Sequence, residues 1–342
     1  MNATERIRAL LAGKETDRIA GTFWKHIPLH DRVISDFVAK TISMQQEYGQ
    51  DVVKLCCNGY YMQEDWGCDI RWPTDREAFP DCLHRAINDP SQWLELRPLD
   101  VHKGALAREI ESARRVVELC DGRAPALATV FSPLKVALEM TASCLCPEVI
   151  NAQLQYHPKE VEHGLEVITE VTRRYIEAMC DAGVDGIFFA TQAASADVMP
   201  LDAFLHFGKR YDLAALQGLK GGAWFNMLHI HNNHHLYFEQ LEDYPVQALN
   251  WEDLRSDLSL EEARKKTSKI LMGGIDQHAD FYEADREKLK ELLRSRILEG
   301  RRKAGSAFIA APGCVMPNDI PENRYYAWRE ALETCQTGRT SV

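Results

Sequence analysis

Short apolar runs alternate with longer stretches in which apolar residues recur at helical spacing. The short runs are AGTFW (20–24), DVVKLCC (51–57), PALATVF (125–131), GVDGIFFA (183–190), GAWFNMLHI (222–230), ALNW (248–251), ILMGGI (270–275) and AFIAAPG (307–313). Each is too brief for a helix, rich in β-branched or small apolar residues and followed by turn formers, as in strands buried on both faces. The periodic stretches predict helices, most clearly over 106–120, 160–183, 259–270 and 284–305. Gly183 and Gly305 stand where left-handed C-caps are expected, and Ser259 before Leu260-Glu261-Glu262 reads as an N-cap. Eight strands with intervening helices predict an α/β fold, a (β/α)8 TIM barrel, over 1–342 as a single domain. Residues 58–104 break the pattern with many Trp, Pro and Asp, and read as a long loop excursion after the second strand.

In such a barrel the residues beyond each strand line the mouth. Here they are Trp24, Lys25 and His26; Cys57, Asn58, Tyr60 and Tyr61; Ser132; Gln192; Asn226, His229 and His231; Asn250 to Asp253; Asp276 to His278; and Cys314. The sharpest set is His229-x-His231 with Cys314. At strand spacing i and i+2 face the same side, so both imidazoles can meet one ion, and two imidazoles with a thiolate suit zinc. Spacing alone leaves a second reading open: exposed histidines in LHIHNNHH beside a cysteine acting as small apolar filler. Asp276 follows Gly273-Gly274, where glycine lets a ligand approach the backbone. Glu252, Asp253 and Asp257 read equally as a solvated loop, and Cys56-Cys57 as core.

Composition narrows the partners. The 342 residues carry a net charge of -11 with both signs interspersed, without the basic stripe that a phosphate backbone requires, so no nucleic acid is expected. No window reaches about 18 uninterrupted apolar residues, so no membrane span is expected. The opening MNATERIRALLAGKETDR reads as an amphipathic helix rather than a signal peptide. Ten scattered cysteines without secretory context predict free thiols and a cytoplasmic location. A chain this long needs no metal to hold its core, so a metal here would be catalytic.

The ordered runs FSPLKVA (131–137), GAWFNMLHIH (222–231), LNWED (249–253), LMGGID (271–276) and FIAAPGCVMP (308–317), with RIRALLAGKETDRI (6–19) at the start, resemble the uroporphyrinogen decarboxylase superfamily. The resemblance spans about residues 4–335 and implies the same barrel. It offers two activities: cofactor-free decarboxylation of uroporphyrinogen, and zinc-dependent methyl transfer from a corrinoid (cobalamin) carrier protein to a thiol such as coenzyme M. The first branch carries an arginine-rich stretch after strand one, where this chain has FWKHIPLHDRV, and a final-strand histidine where it has Cys314. The methyltransferase branch is the better likeness. Its zinc motif, His-x-Cys with a later Cys, maps onto His229, His231 and Cys314, with His231 replacing a cysteine.

That likeness implies a transferase with zinc on His229, His231 and Cys314. Asp276, Gln192, Asn226 and His26 would be catalytic or orienting groups. Trp24, Asn58, Tyr60, Trp66, Ser132 and Trp251 would line the corrinoid and substrate cavity. The partners implied are a small-molecule substrate and a separate corrinoid carrier, since the chain has no corrinoid-binding Asp-x-His-x-x-Gly; a homodimer stays open. The alternatives are a lyase acting on a small carboxylic acid or tetrapyrrole through Lys25, His26 or Asp69, and a non-catalytic corrinoid- or tetrapyrrole-binding protein.

Overall fold

The computed structural model describes residues 1–143 and 146–336. Its strands are β1 (Ala20–Gly21), β2 (Val53–Leu55), β3 (Asp69–Arg71), β4 (Asp81–His84), β5 (Ala126–Phe131), β6 (Gly186–Thr191), β7 (Met227–Ile230), β8 (Ala248–Asn250), β9 (Ile270–Ile275) and β10 (Phe308–Pro312). Helices α1 (Ala3–Leu11), α2 (Ile34–Tyr48), α3 (Tyr61–Asp65), α4 (Gly104–Cys120), α5 (Pro133–Thr141), α6 (Pro147–Tyr156) and α7 (Pro158–Asp181) fill the first half. In the second half come α8 (Leu201–Ala203), a π-helical turn Phe204–Lys209, α9 (Arg210–Leu216), α10 (Leu260–Lys266), α11 (Arg286–Ala304) and α12 (Tyr325–Thr334).

All eight apolar runs became strands of one parallel sheet, ordered β1-β10-β9-β8-β7-β6-β5-β2. The two edges meet through backbone and side chains: Asp51 N–H donates to Gly21 O, and the Thr22 hydroxyl donates to Val52 O at 2.6 Å. The sheet thus curls into the expected (β/α)8 barrel. Beneath the seam, Asp51 accepts from Arg6, from Arg18 and from Gly21 N–H, with Arg6 carried by α1.

Alternation sorts the core. Leu127, Met227, Ala248, Met272 and Ile309 belong to a small cluster inside the barrel. Their neighbours Ala128, Leu228, Leu249, Leu271 and Phe308 belong to the large cluster between strands and helices. Ser259 caps α10 in a capping box with Glu262. Gly183 and Gly305 take φ of +91° and +75°, but Gly305, with ψ -158°, lies outside the left-handed helical region.

The 58–104 excursion is not a structureless loop. It contains α3, the antiparallel β3–β4 hairpin and a 3-10 turn at Pro90–Glu95. Its strands are three and four residues long, each burying a single side chain, which is too little alternation to read from sequence. The nine described cysteines are free thiols; Cys144 lies outside the described residues. Among the described residues no helix is long and apolar enough to cross a membrane.

Candidate metal centre

Because Met227 points into the barrel, His229 and His231 on the same parity do too. One ring nitrogen of each and Cys314 Sγ all lie within 4.8 Å of one another, and His229 Nε2 stands 3.6 Å from Cys314 Sγ. In a tetrahedral zinc site with bonds of about 2.3 Å to sulfur and about 2.0–2.1 Å to nitrogen, such ligands stand about 3.6 Å apart. The donor set therefore fits zinc in chemistry, and the His229–Cys314 pair fits it in spacing.

Asn250 decides which nitrogen of His229 is offered. Its amide nitrogen donates to the carbonyls of Met272 and Pro312, at 3.0 Å each, so its oxygen is left to accept. That oxygen lies 2.7 Å from His229 Nδ1, which must then carry the proton. Nε2 keeps its lone pair and faces Cys314. His229 and Asn250 are register partners across β7 and β8.

The Cys314 segment is held from both sides. Asn250 binds Pro312 O, while Gln277 Oε1 accepts from Gly313 N–H at 3.1 Å. At Gly313 a Cβ would meet Glu252 Cα at 2.4 Å. Gly313→Ala should therefore push the Cys314 turn outward and cost roughly 1–3 kcal/mol, read by urea unfolding; an unchanged midpoint would show that the turn can give way.

The walls are aromatic. Phe188 and Trp24 lie 5.2 and 6.5 Å from the His229 ring, between centroids. His231 opens onto solvent at the mouth, yet the protein packed around it lowers its pKa, favouring the neutral, ligating form. Behind the aromatics lies a second cluster. Lys54 Nζ sits 4.4 Å from the Phe188 centroid and 3.3 Å from Cys56 Sγ, and His26 Nδ1 is 3.6 Å from the same sulfur. Burial raises the Cys56 pKa, but the charges of His26 and Lys54 outweigh it and bring it to about 6. Cys57, on the opposite parity, is core, and burial pushes its thiol well up. Both cysteines are thus core, as expected, Cys57 between strands and helices and Cys56 inside the barrel.

The other expected site residues divide. Trp24 and His26 lie at the mouth as described. Gln192 follows β6; among the described residues its buried Oε1 lacks a partner, as does the buried Nδ2 of Asn58. Tyr60 is half-buried, and burial raises its pKa to about 12. Asp276 is engaged: its carboxylate pairs with Arg255 at 2.9 Å and accepts from His278 N–H.

Four positions need correction. Asn226 precedes β7 at the opposite end of the barrel, where its amide binds Ile187 N–H and Ala223 O. Trp251 faces outward into the helix layer and donates to Leu258 O. The Ser132 hydroxyl caps α5 at Lys135 N–H. Trp66 packs on the outer core and donates to Arg97 O, closing the excursion on itself. Nor do Gly273 and Gly274 make way for a ligand. A Cβ on Gly273 would meet Asp253 Oδ1 at 2.3 Å, and Gly274 N–H donates to that carboxylate, whose pKa burial raises to about 7.

The residue that sequence reasoning passed over is Asn250. It stands at a strand end in the sequence, where the family resemblance points to its neighbour Trp251. The signal was parity with Ala248, which puts Asn250 inside and Trp251 outside. Parity likewise marks Lys54 as the inward residue between Val52 and Cys56.

Comparison with known proteins agrees with the architecture. A methyltransferase from Methanosarcina mazei superposes with a TM-score of 0.82 at 19% identity, over 97% of this chain and 98% of its own. A B12-independent methionine synthase from Shewanella sp. W3-18-1 superposes at 0.61 and 15% identity, over 92% and 94%. At these identities the likeness is one of fold. No curated protein matches the chain by sequence. The family model for uroporphyrinogen decarboxylase (URO-D) matches residues 34–335, a span holding His229, His231, Cys314 and every barrel strand except β1, and the chain belongs to that family.

Proposed function

We propose that this chain is a methyltransferase that moves a methyl group between a corrinoid on a carrier protein and a thiol, with zinc held by His229, His231 and Cys314. The observation that carries the reading is the 3.6 Å separation of His229 Nε2 and Cys314 Sγ, with Asn250 setting the His229 tautomer. A bound zinc ion supplies the positive charge that keeps an acceptor thiol ionised at neutral pH. Held by the neutral imidazoles of His229 and His231 and the thiolate of Cys314, a dication would keep one net positive charge for an acceptor thiolate to neutralise. Trp24 and Phe188 exclude water beneath His229, and Gln192 offers its unpartnered amide oxygen to substrate.

The fold neighbours include a protein named a methyltransferase and another named a B12-independent methionine synthase, so the donor is the point to test. Zinc-loaded protein should demethylate methylcobalamin anaerobically in the presence of a small thiol, with the rate lost on Cys314→Ser. A fully zinc-loaded protein that transfers no methyl group from any corrinoid, yet releases carbon dioxide from a small acid without a cofactor, would put the lyase reading first. That second reading draws on Lys54, a cation inside the barrel suited to a carboxylate. Asp69 does not serve it, being exposed on β3 and paired with His84 at 3.1 Å.

Asn250→Ala should weaken zinc binding by roughly 10–100-fold, because His229 loses the acceptor that fixes its ring. Competition with a chromophoric chelator measures this. An affinity equal to wild type would remove Asn250 from the site.

A further inference from the structure

A cavity of about 200 Å3 opens at the opposite end of the barrel from Cys314, between the turn that follows α1, the last turn of α11 and Ser306. Ser306 precedes β10, whereas Cys314 follows it. Arg301 of α11 lines this cavity. It is half-buried, and among the described residues its guanidinium makes no hydrogen bond, ion pair or ring contact. The other half-buried cations of the helix are matched: Lys290 to Glu287, Arg294 to Glu291, Arg296 to Asp280 and Lys303 to Glu299. Nor does the helix end hold Arg301, because Arg264 is the side chain that donates to Ala304 O, at 3.4 Å. A cation taken partly out of water without a partner costs free energy. With 51 acidic against 40 basic residues, the chain has carboxylates in excess, yet none is set against this one.

Two further donors share the opening. Lys14 and Ser306 are exposed, and neither the Lys14 ammonium nor the Ser306 hydroxyl bonds to a described residue. Glu15 is the carboxylate on the rim, but it is exposed and exerts no pull on Arg301, whose pKa is lowered by burial alone. Half-buried Leu10 adds an apolar wall. Arg301, Lys14 and Ser306 all keep solvent-accessible surface with which to meet a ligand. The free capacity is thus a guanidinium fork, an ammonium and a hydroxyl, a donor set matched to the paired oxygens of a carboxylate or phosphate.

We propose that this cavity at the base of the barrel binds a small oxyanion (a carboxylate or phosphate), clamped by the Arg301 guanidinium with Lys14 and Ser306 as further donors. The site lies at the far end of the barrel from His229, His231 and Cys314, and it depends neither on a metal there nor on the reaction proposed above.

Amide hydrogen exchange read by mass spectrometry tests it on the full, chelator-treated chain, with inorganic phosphate and acetate as probes. At least one of them should slow exchange saturably in the peptides that carry the turn after α1 and the end of α11. The anion that does so at lower concentration identifies the preferred class. Arg301→Met should weaken this protection roughly tenfold or more and Ser306→Ala roughly fivefold. Lys159→Met, an exposed change elsewhere, should leave it unaltered. No protection by either anion, protection confined to peptides of the barrel mouth, or equal affinity in wild type and Arg301→Met overturns the proposal. Should Arg301→Met lose its circular dichroism, Ser306→Ala decides alone, since it removes one exposed hydroxyl that bonds to nothing described in the fold: undiminished affinity there overturns the proposal as well.

Discussion

Replacing Cys314 with serine should strip the protein of metal and leave the barrel standing. A serine hydroxyl does not ionise at neutral pH as a thiol does, so the variant keeps two imidazoles at the mouth and loses the one anionic, soft donor. Mass spectrometry on protein purified without added metal should find about one zinc per wild-type chain and none in the variant. The fold should survive because Cys314 lies beyond the end of β10 and makes no backbone ladder contact. The circular dichroism of the two proteins should coincide, and their melting temperatures should agree once wild type is stripped with a chelator. Stoichiometric zinc retained by the variant would remove Cys314 from the site. Absence of metal from both proteins, even after zinc is offered, would remove zinc from the mechanism and favour the lyase.

The largest effect on stability is expected at Asp51. Its side chain is 2% exposed and holds Arg6 at 2.5 Å, Arg18 at 2.6 Å and Gly21 N–H at 2.8 Å. These contacts join α1, the segment entering β1 and the segment entering β2, where the barrel closes with few backbone bonds. Asp51→Ala leaves two guanidinium groups against an apolar floor with only part of their partners, since Arg6 keeps Asp17 and Arg18 keeps Ile19 O. Removing one partner of a buried ion pair costs about 3–5 kcal/mol, which here lowers Tm on the order of 5–10 °C. Thermal unfolding followed by circular dichroism measures it. A loss below about 1 kcal/mol would mean that water reaches the pair and screens it as it does a surface bridge.

The sequence by itself determined what short-range periodicity can express. Strands buried on two faces must be short and apolar, so all eight were visible. Because parity along a strand is local, the inward pairing of His229 and His231 followed once the strand was placed. The helices α4, α7, α10 and α11, in which apolar positions recur among charged ones, were legible for the same reason. Helix α5 was not, because it is buried on nearly every side and has no polar face to mark its period. The resemblance of ordered motifs carried the family, and the match over 34–335 bears that out.

Only the tertiary structure decided which groups meet across the barrel. The His229–Asn250 contact depends on the register of β7 against β8, and a shift by one residue would place Leu249 or Trp251 beside the histidine instead. Asn226 and His229 are three residues apart, yet the strand carries them to opposite ends of the barrel, where one holds a loop and the other lines the mouth. Periodicity records which face of an element is buried. Register and closure decide what that face touches, because they are set by the packing of all eight strands at once.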